Sequence, residues 1–370
     1  YFKNLRLGEL KPMKIVIASG GTGGHILPSL NLAEFLRAEY SAEVYFIGTL
    51  KKYTDVIFSR GFEDVPLDAV GLETSSFLKM CVWFWKMLVA TVVAFKALLR
   101  LKPQAVIGFG GYSSFPAVLA AWLLRIPAVI HEQNVIPGKA NRWLTPFVRK
   151  VAISFSESQK YFPVKKTVLT GYPLRNLQGQ ISKKDFFKQY ALEGERFTIL
   201  ICGGSQGSRV LNTTFVQGAQ RLNQELPFQV IHLAGGEADC EMIREAYKRV
   251  GIPHVVFPYY DQMGDLYGCA DLVISRAGAG TVHELLVLNA AAILVPYPFA
   301  GGHQKANAAV LTRAGHGIMI EEKHLTSDHL RAQVLGLAKT AQTRPHSDVD
   351  WVEIAKVSQQ RLAETVLGVI

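Results

Sequence analysis

The chain has 370 residues, 49% of them hydrophobic, with 40 Lys and Arg against 30 Asp and Glu. That length suits two cores rather than one, and the composition excludes a disordered or low-complexity chain. A formal charge of +10 calls for an acidic partner, yet no zinc-finger spacing, RRM-type aromatic motif or dense basic block is present, so no nucleic acid is expected and phosphate or an anionic membrane surface is.

Tyr1 to Pro12 has no long apolar stretch and no cleavage-site pattern, and is expected to be a short extension without a secretion signal. Lys14 to Ala18 reads as a strand, Leu27 to Tyr40 as a helix and Glu43 to Ile47 as the next strand, followed by Ala105 to Ile107 and Ala128 to Ile130. Short apolar strands alternating with helices predict a parallel sheet. Between them, Phe77 to Leu101 is the most apolar stretch, carrying Trp83, Phe84 and Trp85. On a helix, its Lys79, Lys86, Lys96 and Arg100 fall within an arc of about 100°. Interior lysines argue against a bilayer span, whereas Trp with Lys and Arg is the composition of helices lying in a membrane interface; a core helix with one wet face is the alternative.

Thr170 to Arg175 ends the first series in turn chemistry, which sets a domain boundary there. The expected domains are 1–172 and 173–349. A second parallel set runs through Phe197 to Ile201, Val230 to Leu233, Val255 to Phe257, Leu272 to Ile274 and Ile293 to Val295. After a break at Arg344 to Ser347, a helix from about Val349 to Leu367 could cap either domain, with 350–370 free to return to the first. The cysteines, Cys81, Cys202, Cys240 and Cys269, form no CxxC pair and suit a reducing cytosol.

Four glycine-rich stretches follow strand-like runs and precede helical ones: Ser19 to His25, Gly108 to Pro116, Gly203 to Ser208 and Ser275 to Thr281. Glycine lets backbone N–H groups converge, and the following helix N-terminus adds partial positive charge, so each loop can cradle an oxyanion. Two in each half imply two diphosphate-bearing substrates meeting between two domains. The dinucleotide fingerprint fails, because Ile26 stands where its third glycine belongs and the second strand ends in Gly48-Thr49 rather than an acid. No GxxxxGK[ST], HExxH or clustered Cys/His spacing occurs, and the sole Asp-x-Asp, at Asp348 and Asp350, lies in the tail. Neither a cofactor nor a metal is expected.

From Lys14 to about Gly315 the motifs, in their order, resemble the MurG family of UDP-GlcNAc transferases, which add the second sugar to the lipid-linked peptidoglycan precursor. The motifs are Gly20 to Pro28, Gly110 to Pro116, His131-Glu132-Gln133-Asn134 with Pro137, Gly138 and Asn141, Gly203 to Gly207, and Ser275 to Ala279 with Thr281, Val282 and Glu284. The resemblance implies an α/β protein of GT-B fold, two Rossmann-like parallel-sheet domains facing a cleft. It implies inverting, metal-independent transfer of GlcNAc from UDP-GlcNAc to undecaprenyl-diphosphate-MurNAc-peptide, in peptidoglycan synthesis, cell shape and cell division. The enzyme would sit peripherally on the cytoplasmic face of the inner membrane, its lipid-facing residues Trp83, Phe84 and Trp85, with a cell-wall synthesis complex as a further partner left open.

By the same resemblance, Thr22, Gly23, Gly24, Gly110, Gly111 and Tyr112 would hold the acceptor diphosphate. His25 would be the base, with Glu132 and Asn134 as rival catalytic groups; an imidazole titrates near neutrality and suits that task. Arg175, Ser205, Gln206 and Gly207 would meet the donor diphosphate. Glu284 would grip the ribose diol, although Thr281 to Glu284 is also a capping box that could merely start a helix. His303, Gln304 and Asn307 would read the sugar. The chain departs from the family at Gly301-Gly302, where acids are usual, and at Tyr172, where Asn is usual. Alternatives are a UDP-sugar transferase acting on diacylglycerol, a UDP-sugar epimerase, or a non-catalytic UDP-sugar-binding membrane protein.

Overall fold

A computed structural model describes residues 12–50, 53–69, 71, 76–204, 207–340 and 351–370. It divides into two compact units, Tyr1–Pro173 with Lys356–Ile370, and Leu174–Ala355.

The first unit runs β1 (Lys14–Ala18), α1 (Gly23–Tyr40), β2 (Glu43–Gly48), α2 (Thr54–Ser59), β3 (Glu63–Pro66), α3 (Phe77–Leu101), β4 (Ala105–Gly108), α4 (Ser114–Leu123), β5 (Ala128–Glu132), α5 (Lys139–Leu144), β6 (Lys150–Ile153) and β7 (Thr167–Leu169). Its seven-stranded sheet has the order β3-β2-β1-β4-β5-β6-β7, and its ladders are parallel. Successive side chains of a strand point to opposite faces, so β1 feeds two cores. Ile15 and Ile17 join Leu30, Leu36 and Phe46 on one face, and Val16 and Ala18 join Ala94, Leu98 and Ala121 on the other. Leu362, Ala363 and Val366 of the C-terminal helix, Trp351–Leu367, pack into the first of these cores. The Ser358 hydroxyl donates to the Tyr172 carbonyl at 2.8 Å.

The second unit runs α6 (Lys183–Gln189), β8 (Phe197–Cys202), α7 (Arg209–Glu225), β9 (Phe228–Leu233), α8 (Glu237–Arg249), β10 (His254–Phe257), α9 (Met263–Cys269), β11 (Leu272–Ser275), α10 (Ala279–Val287), β12 (Ala292–Leu294), α11 (His303–Arg313), β13 (Gly317–Met319) and α12 (Ser327–Thr340). Its six strands are ordered β10-β9-β8-β11-β12-β13 in parallel ladders. One polar cluster sits inside this core. Asn212 Nδ2 donates to the Ala234 carbonyl, so Oδ1 faces His232 Nε2 at 3.0 Å while Tyr247 Oη lies 2.8 Å from His232 Nδ1. Burial pushes the His232 imidazole down to about 3, which keeps it neutral.

Both sheets reverse their strand order at one point, between β1 and β4 and between β8 and β11. In open parallel sheets, ligands bind at the carboxyl ends of strands beside such a switch. The loops leaving β1, β4, β8 and β11 are the four glycine-rich stretches. Strands β3, β6 and β13 were not predicted: β3, Glu63–Pro66, has no buried residue, and the apolar runs Val151 to Ile153 of β6 and Ile318-Met319 of β13 are short, whereas β7 is the strand-like run that ends at the Thr170 turn.

Candidate functional site

In the first unit α1 begins at Gly23, four residues before the expected Leu27. Pro28 lies inside it, removing one backbone donor from the second turn, and this is why a propensity reading starts the helix too late. Thr22 is the extended N-cap, and its carbonyl accepts from the His25 and Ile26 amides at 3.0 and 3.2 Å. The remaining first-turn N–H groups, with Gly23 and Gly24 among them, are those a helix N-terminus offers to an anion.

The loop after β4 closes over the same place. Gly110 and Gly111 have φ of 84° and 72°, conformations that favour glycine. A Cβ on Gly110 would lie 3.1 Å from Asn141 Nδ2, and one on either glycine would lie 3.5 Å from the His25 ring. Their lack of side chains lets the loop rest against that imidazole, while half-buried Tyr112 follows it.

Glu132, at the end of β5, is 1% exposed. Its Oε1 accepts from the Asn134 backbone and side-chain amides at 2.9 and 3.2 Å, and its Oε2 from Gly138 N and Asn141 Nδ2 at 3.0 and 2.8 Å. Four donors on one carboxylate brace the β5–α5 loop. His25 is half-buried, and its Nδ1 lies 3.1 Å from Gln133 Oε1. Both oxygens of Glu132 are thus engaged within the β5–α5 loop, while the His25 ring meets Gln133 through Nδ1.

In the second unit Glu284 lies in α10, whose N-cap is Gly278. Thr281 is therefore inside the helix and Glu284 is not the acid of a capping box. Its carboxylate is held from two sides. Arg175 Nε and an Arg175 terminal nitrogen lie 3.0 and 2.9 Å from Oε1, and the Tyr267 hydroxyl donates to Oε2 at 2.8 Å. Arg175 also donates to the Asp261 carbonyl at 3.1 Å. Burial, with the Glu284 charge adding to it, raises the Tyr267 phenol well above its ordinary value, so it stays a donor. Tyr267, on α9, carries no motif signal, because only folding brings it beside Glu284.

Ser205 and Gln206 lie outside the described residues. Around them the loop is tight: Gly207 has φ of 70°, and a Cβ there would lie 2.4 Å from the Ala234 carbonyl oxygen. The loop delivers the chain to Ser208, the N-cap of α7, whose hydroxyl accepts from Leu211 N. His303 opens α11 after Gly302, which has φ of 82°. Gln304 Oε1 accepts from the Ala277 and Tyr297 amides at 3.2 and 2.9 Å, and buried Asn307 donates to the Ala277 carbonyl at 3.3 Å. These two side chains tie α11 to the β11–α10 loop. Arg276, in that loop and not expected in a role, is only 9% exposed and reaches the Val295 carbonyl at 3.2 Å. Among the described residues no group of three or more His, Cys, Asp or Glu side chains gathers in metal-binding fashion.

Helix α3 buries Met87, Ala90, Ala94, Leu98 and Leu101 and leaves much of its apolar surface in water. Phe77, Phe84 and Trp85 are 76%, 64% and 65% exposed, whereas Trp83 is half-buried. Lys86 pairs with Asp68 at 3.3 Å. Among the described residues it is the one helix long and apolar enough, by length and composition, to cross a bilayer.

Known proteins share both units. The glycosyltransferase family 28 N-terminal domain matches residues 15–153 and the family 28 C-terminal domain residues 198–362. A Myxococcus xanthus relative named UDP-N-acetylglucosamine–N-acetylmuramyl-(pentapeptide) pyrophosphoryl-undecaprenol N-acetylglucosamine transferase is 38% identical, over 87% of this chain and 84% of its own length. A Thermodesulfovibrio yellowstonii relative of the same name is 36% identical over 93% and 98%. The crystal structure of Acinetobacter baumannii MurG superposes with a TM-score of 0.75 at 27% identity, covering 96% of this chain and all of that one. With two parallel-sheet α/β units of the GT-B fold class and relatives of this closeness along its length, the chain belongs to the MurG family within glycosyltransferase family 28.

Proposed function

We propose that this enzyme transfers GlcNAc from UDP-GlcNAc to undecaprenyl-diphosphate-MurNAc-peptide, with inversion and without a metal ion, for peptidoglycan synthesis. The observation that carries the reading is the Glu284 carboxylate, fixed beside the second sheet's switch point by Arg175 and Tyr267, in a chain 38% identical to a named N-acetylglucosamine transferase. A carboxylate accepts from two neighbouring hydroxyls, which matches the cis-diol of a ribose. In this reading the Leu174–Ala355 unit binds the donor: Glu284 takes the ribose, the loop from Gly203 to Gly207 with the α7 N-terminus takes the diphosphate, and the α11 residues His303, Gln304 and Asn307 line the sugar. Arg175, already beside the donor carboxylate, supplies positive charge.

The first unit binds the acceptor diphosphate at the α1 N-terminus, through Thr22, Gly23 and Gly24, and at Gly110, Gly111 and Tyr112. The acceptor oxygen forms a bond to the anomeric carbon while the bond to the UDP oxygen breaks, its electron pair leaving with UDP. His25 takes the acceptor proton. Dipoles and cations already in place stabilise the departing charge. The exposed apolar face of α3, with Phe84, Trp85 and its lysines, attaches the enzyme peripherally to the cytoplasmic face of the inner membrane, where such an acceptor resides.

The test is transfer from UDP-GlcNAc to an undecaprenyl-diphosphate-MurNAc-peptide analogue in EDTA, with UDP-glucose and UDP-galactose as parallel donors and diacylglycerol as a parallel acceptor. Product from UDP-GlcNAc and the diphosphate acceptor alone is the expected result. Absence of product despite measurable UDP binding would overturn the reading.

A further inference from the structure

Gln133 is 1% exposed, and every hydrogen-bonding atom of its side chain has a partner. Its Nε2 lies 3.0 Å from the Phe109 carbonyl oxygen and 3.1 Å from the His131 carbonyl oxygen. Two carbonyl acceptors around one atom require that atom to be the amide nitrogen, which fixes the side-chain flip. The carbonyl Oε1 therefore faces His25 Nδ1, at 3.1 Å. Since Oε1 has no proton, His25 Nδ1 must donate. Gln133 Nε2 also stands 3.0 Å from His131 Nδ1, and His131 Nε2 lies 3.2 Å from the Gly171 carbonyl oxygen. His131 is fully buried, and a neutral ring with Nε2–H donating to Gly171 leaves Nδ1 as an acceptor, so the two Gln133 N–H groups serve three acceptors, one of them shared.

We infer that Gln133 is a positioning residue that sets the tautomer of His25, placing the proton on Nδ1 and the lone pair on Nε2. This rests on the reading of His25 as the group that takes the acceptor proton, and it names the atom: Nε2 receives that proton, and the imidazolium so formed keeps Nδ1–H on Gln133 Oε1. The backbone carbonyls of Phe109, His131 and Gly171 anchor the amide and the ring behind it. Orientation thus passes from the ends of β4 and β5 and the segment after β7 to an imidazole on α1, through the neutral Gln133 amide. A histidine whose second nitrogen is held by a neutral acceptor keeps its proton-accepting nitrogen without the rise in basicity that a carboxylate partner gives. The resting charge at the acceptor diphosphate is then left to the helix N-terminus.

The test is imidazole 15N NMR of the full-length enzyme labelled at histidine, with His25→Asn assigning the signal, alongside steady-state kinetics. The wild-type neutral ring should be protonated at Nδ1; a neutral ring protonated at Nε2 would overturn the inference with no further variant needed. Gln133→Leu should release that preference and lower kcat by about ten-fold or more, without exceeding the roughly 10²–10⁴-fold that a positioned base contributes in full, with KM for both substrates within about two-fold. Gln133→Glu keeps an oxygen opposite Nδ1 while losing the amide donors and burying a charge. It should melt no higher than Gln133→Leu yet turn over faster. A merely structural glutamine would rank the two variants in activity as it ranks them in stability, and that outcome would overturn the inference. Full turnover by His25→Ala would instead overturn the assignment of the base, leaving the wild-type tautomer to be read by itself.

Discussion

Replacing Glu284 by Ala tests the donor site most directly, because the side chain is 9% exposed and both of its oxygens are engaged. Two effects follow from those contacts. Three donors already occupy the carboxylate, which leaves about one acceptor site; one hydrogen bond from the ribose to a charged group contributes about 1.5–3 kcal/mol, or roughly 10- to 150-fold in UDP affinity. The second effect is on the fold. Removing the carboxylate leaves the Tyr267 hydroxyl and the Arg175 guanidinium short of their partner, and breaking a buried pair costs about 3–5 kcal/mol. Arg175 keeps the Asp261 carbonyl and its side chain is 29% exposed, which brings the expected cost down to about 2–3 kcal/mol. Calorimetric titration with UDP and with 2′-deoxy-UDP separates the two effects, since lost stability weakens both ligands alike whereas lost diol contacts erase only the preference for UDP. Wild-type enzyme should prefer UDP by about ten-fold or more, and Glu284→Ala by almost nothing. A variant that keeps the wild-type preference would refute the assignment of Glu284 to the ribose.

Acid should destabilise the second unit through His232. Its folded value near 3 lies below the roughly 6.5 of an unfolded histidine, so below pH 6.5 the unfolded chain binds a proton that the folded one refuses. Stability present above pH 6.5 is lost as pH falls toward about 3, amounting to about 2 kcal/mol by pH 5 at about 1.4 kcal/mol per unit. Urea midpoints at pH 7 and pH 5 should show this slope in wild type and its reduction in His232→Gln; an identical slope in both would reject the explanation. For the membrane face, Phe84 and Trp85 are 64% and 65% exposed, and burying such side chains fully yields about 1.5–3 kcal/mol each. The double change Phe84→Glu with Trp85→Glu should therefore weaken binding to anionic vesicles by about 2–4 kcal/mol, on the order of 30- to 700-fold, with turnover on a detergent-soluble acceptor retained. Unchanged vesicle flotation would remove α3 from the attachment surface.

The sequence by itself determined the elements whose signal is local. Apolar runs such as Ile15 to Ala18 and Ile199 to Cys202 announce buried parallel strands, because a strand covered on both faces has no reason to alternate. The glycine loops announce themselves as well: Gly110 and Gly207 adopt positive φ where a Cβ would strain the backbone or meet a neighbour. Short strands such as β3 and β13 stayed hidden, since pairing with a neighbour rather than their own hydrophobicity holds them in place. The same logic hid the start of α1, where Pro28 masks a helix already under way. Only the tertiary structure decided the partners of the candidate site. Glu284 could have been a helix cap until Arg175, 109 positions earlier, and Tyr267, on another helix, met its carboxylate. His25 and Gln133 are 108 positions apart and share a proton because β1, β4 and β5 lie side by side in one sheet. Propensity and periodicity act over one or two turns of chain, whereas a hydrogen bond between side chains is specified by distances that only the packed sheet and its helices fix.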